Sequence, residues 1–463
     1  MILPVINEHL KIGQTITLTI KKLGINGEGI GYWKKTLIFV PWALPTETIQ
    51  CQITQVQANF ARGKLLSYQK PGPQRNLQAP ALAQQVGGLE LAHLKYPAQL
   101  HYKQEMIAEA FRHFHLPQWR HYDIRPTIGM EDPWHYRNKA QFSIRQQDGH
   151  LVCGLFQTGT QTVVDSLEMP TQSSLTLHIL QQLLSIISQL QLPIYDPQQN
   201  SGILKTLIVR QDQAGSQAQL TFVTNSRKLP RKRELLDQIQ VQIPEVTGIF
   251  QNFNPGSTSL IWGNETKKLW GQDYLTETLG DYQYQLSPRA FFQLNPHQTL
   301  KLYAQVRQAL KPQTNDIVVD AYAGVGTIGI SLAHQVQQVL GSEIIPEAVA
   351  DANLNVQLNQ LSNINYELGA TEELYPQWLQ QGIRPTAVVV DPPRTGLATS
   401  LSNYLLQSQP AKIVYTSCNP ATLARDLKLL SKKYRIDFIQ PLDMFPQTPH
   451  VESVTRLTLR TKK

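Results

Sequence analysis

The chain has 463 residues and a formal net charge of +8, with 41% hydrophobic and 16% charged residues. Such a length is too great for one hydrophobic core, and this composition excludes a largely disordered protein, so about two to four globular domains are expected. The positive charge favours a polyanionic partner such as RNA.

The cysteines, Cys51, Cys153 and Cys418, lie far apart, and no CxxC pair occurs. This spacing argues against a disulfide framework and against a cysteine-rich metal site, and it favours a reducing compartment. The stretch MILPVINEHLKIGQ lacks a basic region followed by an apolar core, and no apolar run is long enough to span a bilayer. We therefore expect a cytoplasmic protein with no membrane partner, and nothing in the sequence points to an obligate protein partner.

The first part of the chain divides into two regions with different patterns. Residues 15–68 hold short β-type runs broken by turns, including the glycine-rich LGINGEGIGYW, and predict a small closed barrel in a first domain of residues 1–70. The linker KPGPQRNLQAP follows, and residues 97–116 have the helical periodicity of a docking helix. Strand-like runs with one clear helix predict a central α+β domain within residues 71–285.

The last region, residues 286–463, alternates apolar strands with helices. This alternation predicts a parallel sheet that is covered by helices on both faces, so the multi-domain chain would end in a Rossmann-like α/β domain. Ligands of such sheets bind beyond the carboxyl ends of the strands. The chemistry is therefore expected at those ends.

The first of these strands ends in the motif DAYAGVGTIG. Its glycines, Gly324, Gly326 and Gly329, fit the pattern GxGxxG, and Glu343 ends the next strand, where a carboxylate can bind a ribose hydroxyl. The pattern indicates a nucleoside-containing cofactor but does not separate NAD from S-adenosylmethionine. The alternative is that the glycines only make a tight turn.

Two further strands end in polar residues. Asp391 leaves an apolar strand in AVVVDPPRTGL, where two prolines stiffen the turn, although a turn aspartate or helix cap would look the same. Cys418 follows the run KIVYTS, and Asn-Pro then stops the strand. A thiol at a strand end in a cofactor crevice is a candidate nucleophile, whereas a cysteine elsewhere is more often a buried structural residue.

The motif HVESVTRL places Glu452 between apolar neighbours at the start of the last strand-like run. Desolvation there would raise the proton affinity of the carboxylate toward that of a general base. A salt-bridged glutamate fits this single observation equally well.

One reaction uses all of these residues. Carbon 5 of uracil is too weak a nucleophile to take a methyl group directly, but a thiolate that adds to carbon 6 turns the ring into an enolate that can. A base must then remove the proton from carbon 5 before the thiolate can leave. Cys418 and Glu452 fit these roles, and a dehydrogenase would leave both unexplained.

The motifs YRNKAQF, SPRAFFQLNP, DAYAGVGTIG, VVVDPPRTGL, YTSCNPATLARDL and HVESVTRL resemble the RNA uracil-5-methyltransferase family in order and spacing, over nearly the whole chain. The resemblance implies Cys418 as the nucleophile and Glu452 as the proton-abstracting base. It also implies an S-adenosylmethionine site formed by residues near the strand ends, namely Gln293, Tyr322, Glu343, Asp391, Gly324 and Gly326. Gln293 lies outside the glycine motif, and only the resemblance points to it.

The first domain resembles the TRAM domain, which is an OB-type β-barrel that grips structured RNA in this family. Family members that act on transfer RNA in many bacteria lack this domain, whereas ribosomal members carry it, so the resemblance favours 23S ribosomal RNA as the substrate. Residues 286–463 would then be the catalytic domain. The resemblance also implies that the helix near residues 97–116 packs on this domain, although the central domain intervenes in sequence.

The sequence departs from the family at one place. Related ribosomal enzymes hold an iron–sulfur cluster with four cysteines, but here PALAQQVGGLELAHLKY has Val86 and Leu89 at two of the thiolate positions, and Met169 takes the fourth. Because a cluster needs its thiolates, we expect neither a cluster nor another metal. We expect apolar packing to hold the segment instead.

Three other functions remain open on the sequence. The nearest is the same reaction on the T-loop uridine of transfer RNA. A non-catalytic RNA-binding factor belongs to a different class, and the joint presence of Cys418 and Glu452 speaks against it. NAD-dependent oxidoreduction rests only on the glycine motif and Glu343. The target uridine, the number of target sites and the oligomeric state are not encoded in any motif.

Overall fold

The computed structural model describes residues 10–460; residues 1–9 of the predicted first domain and residues 461–463 of the predicted catalytic domain lie outside the described residues. The first domain is a closed barrel with strand order β1-β2-β3-β5-β4, as predicted. Its strands are β1 (Thr15–Leu23), β2 (Gly29–Trp33), β3 (Thr36–Val40), β4 (Thr48–Val56) and β5 (Phe60–Tyr68). Ile16, Leu18 and Ile20 alternate into the barrel core because successive strand residues face opposite sides.

The barrel is fixed to the segment that follows it. Arg75 forms a buried ion pair with Glu47 at 2.6 Å, and the Tyr102 hydroxyl donates to the Gly24 carbonyl oxygen at 2.6 Å. This segment contains the helix α1 (Tyr96–His113) between short 3-10 helices at Ala81–Gln84 and Trp119–His121. Ile107 and Phe111 of α1 belong to a core cluster of the catalytic domain, so the helix near residues 97–116 packs there.

The central domain is a seven-stranded sheet with strand order β12-β11-β10-β9-β6-β7-β8. Its elements are β6 (Lys139–Gln147), β7 (His150–Phe156), β8 (Val163–Asp165), α2 (Ser174–Gln189), β9 (Leu204–Gln211), β10 (Ala218–Thr224), α3 (Lys232–Gln242), β11 (Val246–Phe253) and β12 (Glu265–Gly271). The apolar faces of α2 and α3 pack on one side of the sheet, which gives the predicted α+β architecture.

The segment that lacks the cluster cysteines is packed with apolar side chains. Val86, Leu89 and Met169 are buried in the core cluster of the central domain, at 2%, 0% and 2% exposure. A Cβ on Gly88 would lie 3.3 Å from the Met169 methyl carbon, so the chain passes close to that side chain. Within residues 10–460, no group of three or more His, Cys, Asp or Glu side chains is arranged to hold a metal ion.

The catalytic domain is a second seven-stranded sheet, with strand order β17-β16-β15-β18-β19-β21-β20 and helices on both faces. Its elements are β13 (Leu275–Leu279), β14 (Tyr282–Leu286), α4 (Pro296–Leu310), β15 (Ile317–Ala321), α5 (Thr327–Leu332), a 3-10 turn (Ala333–Gln335), β16 (Gln338–Glu343), α6 (Pro346–Leu358), β17 (Ile364–Leu368), α7 (Thr371–Gln380), β18 (Ala387–Val390), α8 (Thr399–Ser408), β19 (Lys412–Ser417), α9 (Pro420–Leu430), β20 (Tyr434–Leu442) and β21 (Glu452–Leu459). The strand order reverses at β15 and β18, where ligands of this fold bind.

Two features of this domain differ from the sequence-based expectation. The sheet is not wholly parallel, because β21 runs antiparallel to both β19 and β20, and the short connection at residues 443–451 permits only an antiparallel return from β20. The predicted boundary before residue 286 falls within β14, whose hairpin with β13 packs into the catalytic core through Leu279, Tyr284 and Leu286. No helix in the described part of the chain has the length and apolarity needed to cross a bilayer.

Candidate active site

The glycines of the loop after β15 have different structural roles. Gly324, at φ +57°, faces open space, since nothing lies within 4 Å of the position of a Cβ. A Cβ on Gly326 would meet the Tyr366 ring at 2.8 Å, and one on Gly329 would meet the Tyr366 hydroxyl at 2.4 Å. Gly324 therefore leaves room for a ligand, whereas Gly326 and Gly329 make room for a buried tyrosine that shapes the loop.

Asp320 lies under this loop, and the sequence analysis missed it. Its carboxylate accepts hydrogen bonds from the Gly329 amide at 2.8 Å and from the Tyr366 hydroxyl at 3.3 Å. Burial raises the pKa of Asp320 to about 7 despite these bonds. The signal in the sequence was an aspartate that closes the apolar run IVVD; its neighbours across the sheet were not visible there.

Glu343 ends β16 beside the same loop. One carboxylate oxygen accepts from the Gly324 amide at 2.9 Å, and the other from the amides of Ile344 and Ile345 at 2.8 and 3.0 Å. The oxygen bonded to Gly324 can accept a second hydrogen bond, so the carboxylate can still bind a hydroxyl group. Ile344 is 67% exposed and forms an apolar surface directly after this carboxylate.

Tyr322 and Gln293 flank the loop from other segments. Tyr322 has φ +63°, a left-handed conformation that is strained for an aromatic residue and is often found at functional sites. Gln293 precedes α4 and is half-buried, and its carbonyl oxygen accepts from the Asn138 side chain at 3.4 Å. The backbone N–H of Asn138 also donates to the Leu294 carbonyl oxygen at 3.0 Å. The central domain therefore fixes the segment that holds Gln293.

The loops that carry Asp391 and Cys418 are joined to each other. The Asn419 side chain caps α9 by accepting from the Ala421 amide at 3.0 Å, and it donates to the Arg394 carbonyl oxygen at 2.8 Å. Because the loop DPPRTGL is thereby attached to the start of α9, Asp391 and Cys418 lie at one edge of the sheet. Cys418 is half-buried, unlike the buried Cys51 and Cys153.

The strand register brings Glu452 to the same edge. Ser417, the last residue of β19, pairs with Ser453 of β21, so Cys418 follows directly beside Glu452. On its other side, Glu452 pairs with Leu442, the last residue of β20. Its carboxylate makes no recorded hydrogen bond to any residue between 10 and 460, and the residue is 6% exposed.

The comparisons with known proteins agree with this geometry. The family model described as tRNA (Uracil-5-)-methyltransferase matches residues 257–460, and the TRAM domain model matches residues 9–66. A Lactiplantibacillus plantarum protein named "Uncharacterized RNA methyltransferase" is 50% identical over 97% of this chain and 94% of the relative. An Enterococcus faecalis protein of the same name is 46% identical over 97% of this chain and 98% of the relative. The chain belongs to the RNA uracil-5-methyltransferase family.

A solved structure extends this likeness to the whole fold. Pyrococcus abyssi tRNA (uracil-54, C5)-methyltransferase, in complex with S-adenosyl-L-homocysteine, matches with a TM-score of 0.76 and 26% identity. The match covers 96% of this chain and 100% of that chain. The uracil-5-methyltransferase fold therefore includes the barrel as well as the catalytic domain, and S-adenosylmethionine is the cofactor of this enzyme family.

The residues at the strand ends fit that cofactor. A nucleoside needs hydroxyl acceptors, an apolar surface for its base and a backbone that can approach closely. Glu343 supplies the hydroxyl acceptors, Ile344 supplies the apolar surface, and Gly324 lets the backbone approach closely. These three features would also suit the nucleoside of NAD, and it is the family match that favours S-adenosylmethionine.

Asp391, Arg394, Cys418 and Glu452 lie around one crevice at the strand ends. Burial dominates the electrostatics of this crevice. Burial, together with the charges of Glu452 and Asp391, raises the pKa of the Cys418 thiol to about 11, while Arg394 opposes them. Burial and the nearby Asp391 raise the pKa of Glu452 to about 8, again opposed by Arg394. Burial also raises the pKa of Asp391. Asp391, Glu452 and Cys418 therefore share one poorly solvated space, and the charge of Arg394 offsets them.

Proposed function

We propose that this enzyme methylates carbon 5 of uridine in 23S ribosomal RNA through a covalent adduct of Cys418 with carbon 6. The observation that carries the proposal is the register of β19, β21 and β20, which sets a half-buried thiol directly beside a buried glutamate. A methyl transfer to a stronger nucleophile would need neither residue. Transfer to carbon 5 of a pyrimidine needs both a nucleophile and a base.

Cys418 acts first. Its thiol loses a proton, and the thiolate adds to carbon 6, which places negative charge on the ring and makes carbon 5 nucleophilic. Arg394 favours the thiolate because its charge lowers the pKa of Cys418 against the effect of burial. The target base must leave its stack to reach a thiol at this depth.

S-adenosylmethionine supplies an electrophilic methyl group that carbon 5 attacks. Gln293, Tyr322, Glu343 and Asp391, with Gly324 and the loop shape that Gly326 permits, are the residues that would hold it. The buried carboxylate of Asp391 lies in the same crevice and can favour a positively charged sulfonium there.

Glu452 acts last by taking the proton from carbon 5, after which the carbon–sulfur bond breaks and Cys418 is released. A pKa of about 8 suits this role, since a general base works best when its pKa is near the operating pH. Among the described residues, no hydrogen bond from another side chain or amide occupies its carboxylate.

The choice of RNA rests on different observations. The barrel is fixed rigidly beside the catalytic domain, and it extends the basic molecule toward a large structured RNA, which favours 23S ribosomal RNA. The Pyrococcus abyssi enzyme favours a second candidate, the T-loop uridine of transfer RNA, because its match covers nearly the whole of this chain. The barrel therefore does not by itself separate the two substrates.

The test is to incubate the protein with radiolabelled S-adenosylmethionine and with unmodified 23S RNA and transfer RNA separately. We expect 5-methyluridine in 23S RNA, and its absence with Cys418→Ala. Label in transfer RNA alone would overturn the 23S assignment and retain the reaction. No label in either RNA would overturn the proposal.

The chain offers a matched control in Cys153→Ala. Cys153 is also a free cysteine, but it is buried in the central domain, where burial raises the pKa of its thiol. This variant should retain methylation. Equal loss of activity in both cysteine variants would mean that Cys418 is a structural residue.

A further inference from the structure

The connection between β20 and β21, residues 443–451, is a loop that is almost completely buried. Asp443 and Met444 are both at 0% exposure, and Gln447 is at 2%. Gln447 also has φ +70°, a left-handed conformation that a residue other than glycine keeps only when its surroundings enforce it. The connection is therefore held in one conformation.

Polar side chains from other parts of the chain hold this connection. Lys103 of α1 forms an ion pair with the Asp443 carboxylate, and its Nζ also donates to the Phe445 carbonyl oxygen at 3.1 Å. Gln99, about one helical turn earlier, exchanges two hydrogen bonds with Gln447, at 2.8 and 3.0 Å. Three more side chains donate hydrogen bonds to backbone carbonyl oxygens of the connection. Tyr136 donates to Pro446 at 2.9 Å, Asn295 donates to Met444 at 3.0 Å, and Gln298 donates to Asp443 at 2.8 Å.

The Lys103–Asp443 pair is not explained by stability. Both side chains are fully buried, and desolvation of two charges offsets much of their attraction. An apolar pair of similar volume would often stabilise a fold as well or better. What an ion pair adds is direction, because its hydrogen bonds fix where Asp443 lies relative to α1.

The position of Asp443 connects this pair to the proposed base. Asp443 directly follows Leu442, which pairs with Glu452 across β20 and β21. Cys418 lies on the opposite side of β21, at the end of β19. A displacement of Asp443 would therefore act on the Glu452 side of β21 before it acted on the nucleophile.

We propose that Lys103, acting through Asp443, is a positioning residue for Glu452 in the release of the methylated base. This inference rests on the proposed function. In that step the Glu452 carboxylate takes the proton from carbon 5, the electrons of the carbon–hydrogen bond form the double bond between carbons 5 and 6, and the carbon–sulfur bond breaks to return the Cys418 thiolate. Proton removal requires the carboxylate in line with one bond, so a small displacement slows it strongly.

The experiment compares variants in the formation and release of the covalent RNA–protein complex, with S-adenosylmethionine and the RNA that the wild-type protein methylates. Lys103→Met leaves Asp443 without its partner. The double variant Lys103→Met with Asp443→Leu removes both charges, and so keeps the test open if the single variant unfolds. Glu452→Gln is the reference for failed release, and Glu109→Gln, which breaks an exposed ion pair of α1 with Lys22, is the matched control.

We expect the folded Lys103 variants to form the complex at the wild-type rate and to release it about 10- to 100-fold more slowly, with an unchanged KM for RNA. The complex should accumulate as in Glu452→Gln, and Glu109→Gln should behave as wild type. Wild-type release, an equal slowing of formation and release, or unfolding of both Lys103 variants would overturn the inference. If Glu452→Gln itself accumulates no complex, the proposed role of Glu452 fails, and the positioning role fails with it.

Discussion

The segment around Val86, Leu89 and Met169 and the crevice around Cys418 and Glu452 use buried space in opposite ways. The first packs apolar side chains together, which stabilises the fold in proportion to the area removed from water. The second confines a thiol and carboxylates whose pKa values burial raises, and Glu452 lowers stability at neutral pH because the unfolded chain has lost a proton that the folded protein keeps. Both regions lie at positions where the family has cysteines. The comparison teaches that the side chains packed around such a position separate a structural region from a reactive one.

The largest expected effect on stability lies in the apolar segment. Leu89→Ala should lower the free energy of unfolding by about 3 kcal/mol, because it removes a fully buried side chain and leaves a cavity. Methylation by the folded variant, measured well below its melting temperature, should stay near the wild-type rate. Urea unfolding and a methylation assay on the same sample check both parts.

Leu77→Ala is the matched control, because Leu77 lies in the same linking segment but is 71% exposed. Its effect should be within about 0.5 kcal/mol. A large loss of activity in folded Leu89→Ala would show that the segment takes part in catalysis, and the contrast between the two regions would fail.

The next effect concerns Arg394, a cation that offsets the carboxylates of the crevice. Arg394→Gln removes a charge that lowers the pKa of both Cys418 and Glu452, so both pKa values should rise. We expect about 30-fold slower formation of the covalent complex at pH 7, and a pH–rate profile shifted to higher pH. Single-turnover rates across the pH range measure this shift.

Arg384→Gln is the matched control, because Arg384 lies near the opposite end of the same strand, β18. Arg384 is an exposed residue that precedes the amino end of β18, whereas Arg394 follows its carboxyl end. This variant should leave the pH profile unchanged. An unshifted profile for Arg394→Gln would mean that the thiolate is stabilised by other groups.

The sequence was sufficient to predict the candidate site residues that lie at strand ends. Glu343, Asp391 and Cys418 lie at the carboxyl ends of strands, because apolar runs mark the strands and the polar residue that ends or follows a run marks the edge. Glu452 instead begins β21, and it reaches the same edge because that strand runs antiparallel. The barrel was predictable for a similar reason, since its short runs and glycines left few alternatives.

Contacts between distant segments were not predictable from local patterns. The burial of Asp320 depends on Tyr366, and that of Lys103 on Asp443, and both pairs are far apart in the chain. The antiparallel direction of β21 was also missed, because apolar periodicity shows that a strand exists and not which way it runs. The reactive residues could be found in the sequence, whereas the residues that hold them in place could not.

The smallest effect is a pH-dependent gain in stability from Glu452→Gln. The carboxyl group of Glu452 has a pKa of about 8 in the folded protein against an ordinary value of 4.5. Between these values the unfolded chain has lost a proton that the folded protein retains, so the contribution of Glu452 to stability is complete below pH 4.5 and is lost as the pH rises through about 8. The variant should therefore match wild type near pH 4.5 and become progressively more stable than wild type as the pH rises toward about 8.

Denaturant unfolding of both proteins across this range measures the difference, and Glu168→Gln, at an exposed surface position between β8 and α2, should give a difference that does not vary with pH. Parallel curves for wild type and Glu452→Gln would mean that the carboxylate is ionised in the folded protein at neutral pH, as an ordinary surface glutamate is. The crevice would then carry no stability penalty from Glu452, and its difference from the apolar segment would be limited to the half-buried thiol. Curves that diverge with rising pH would instead tie the loss of stability to the same carboxylate that we propose as the base.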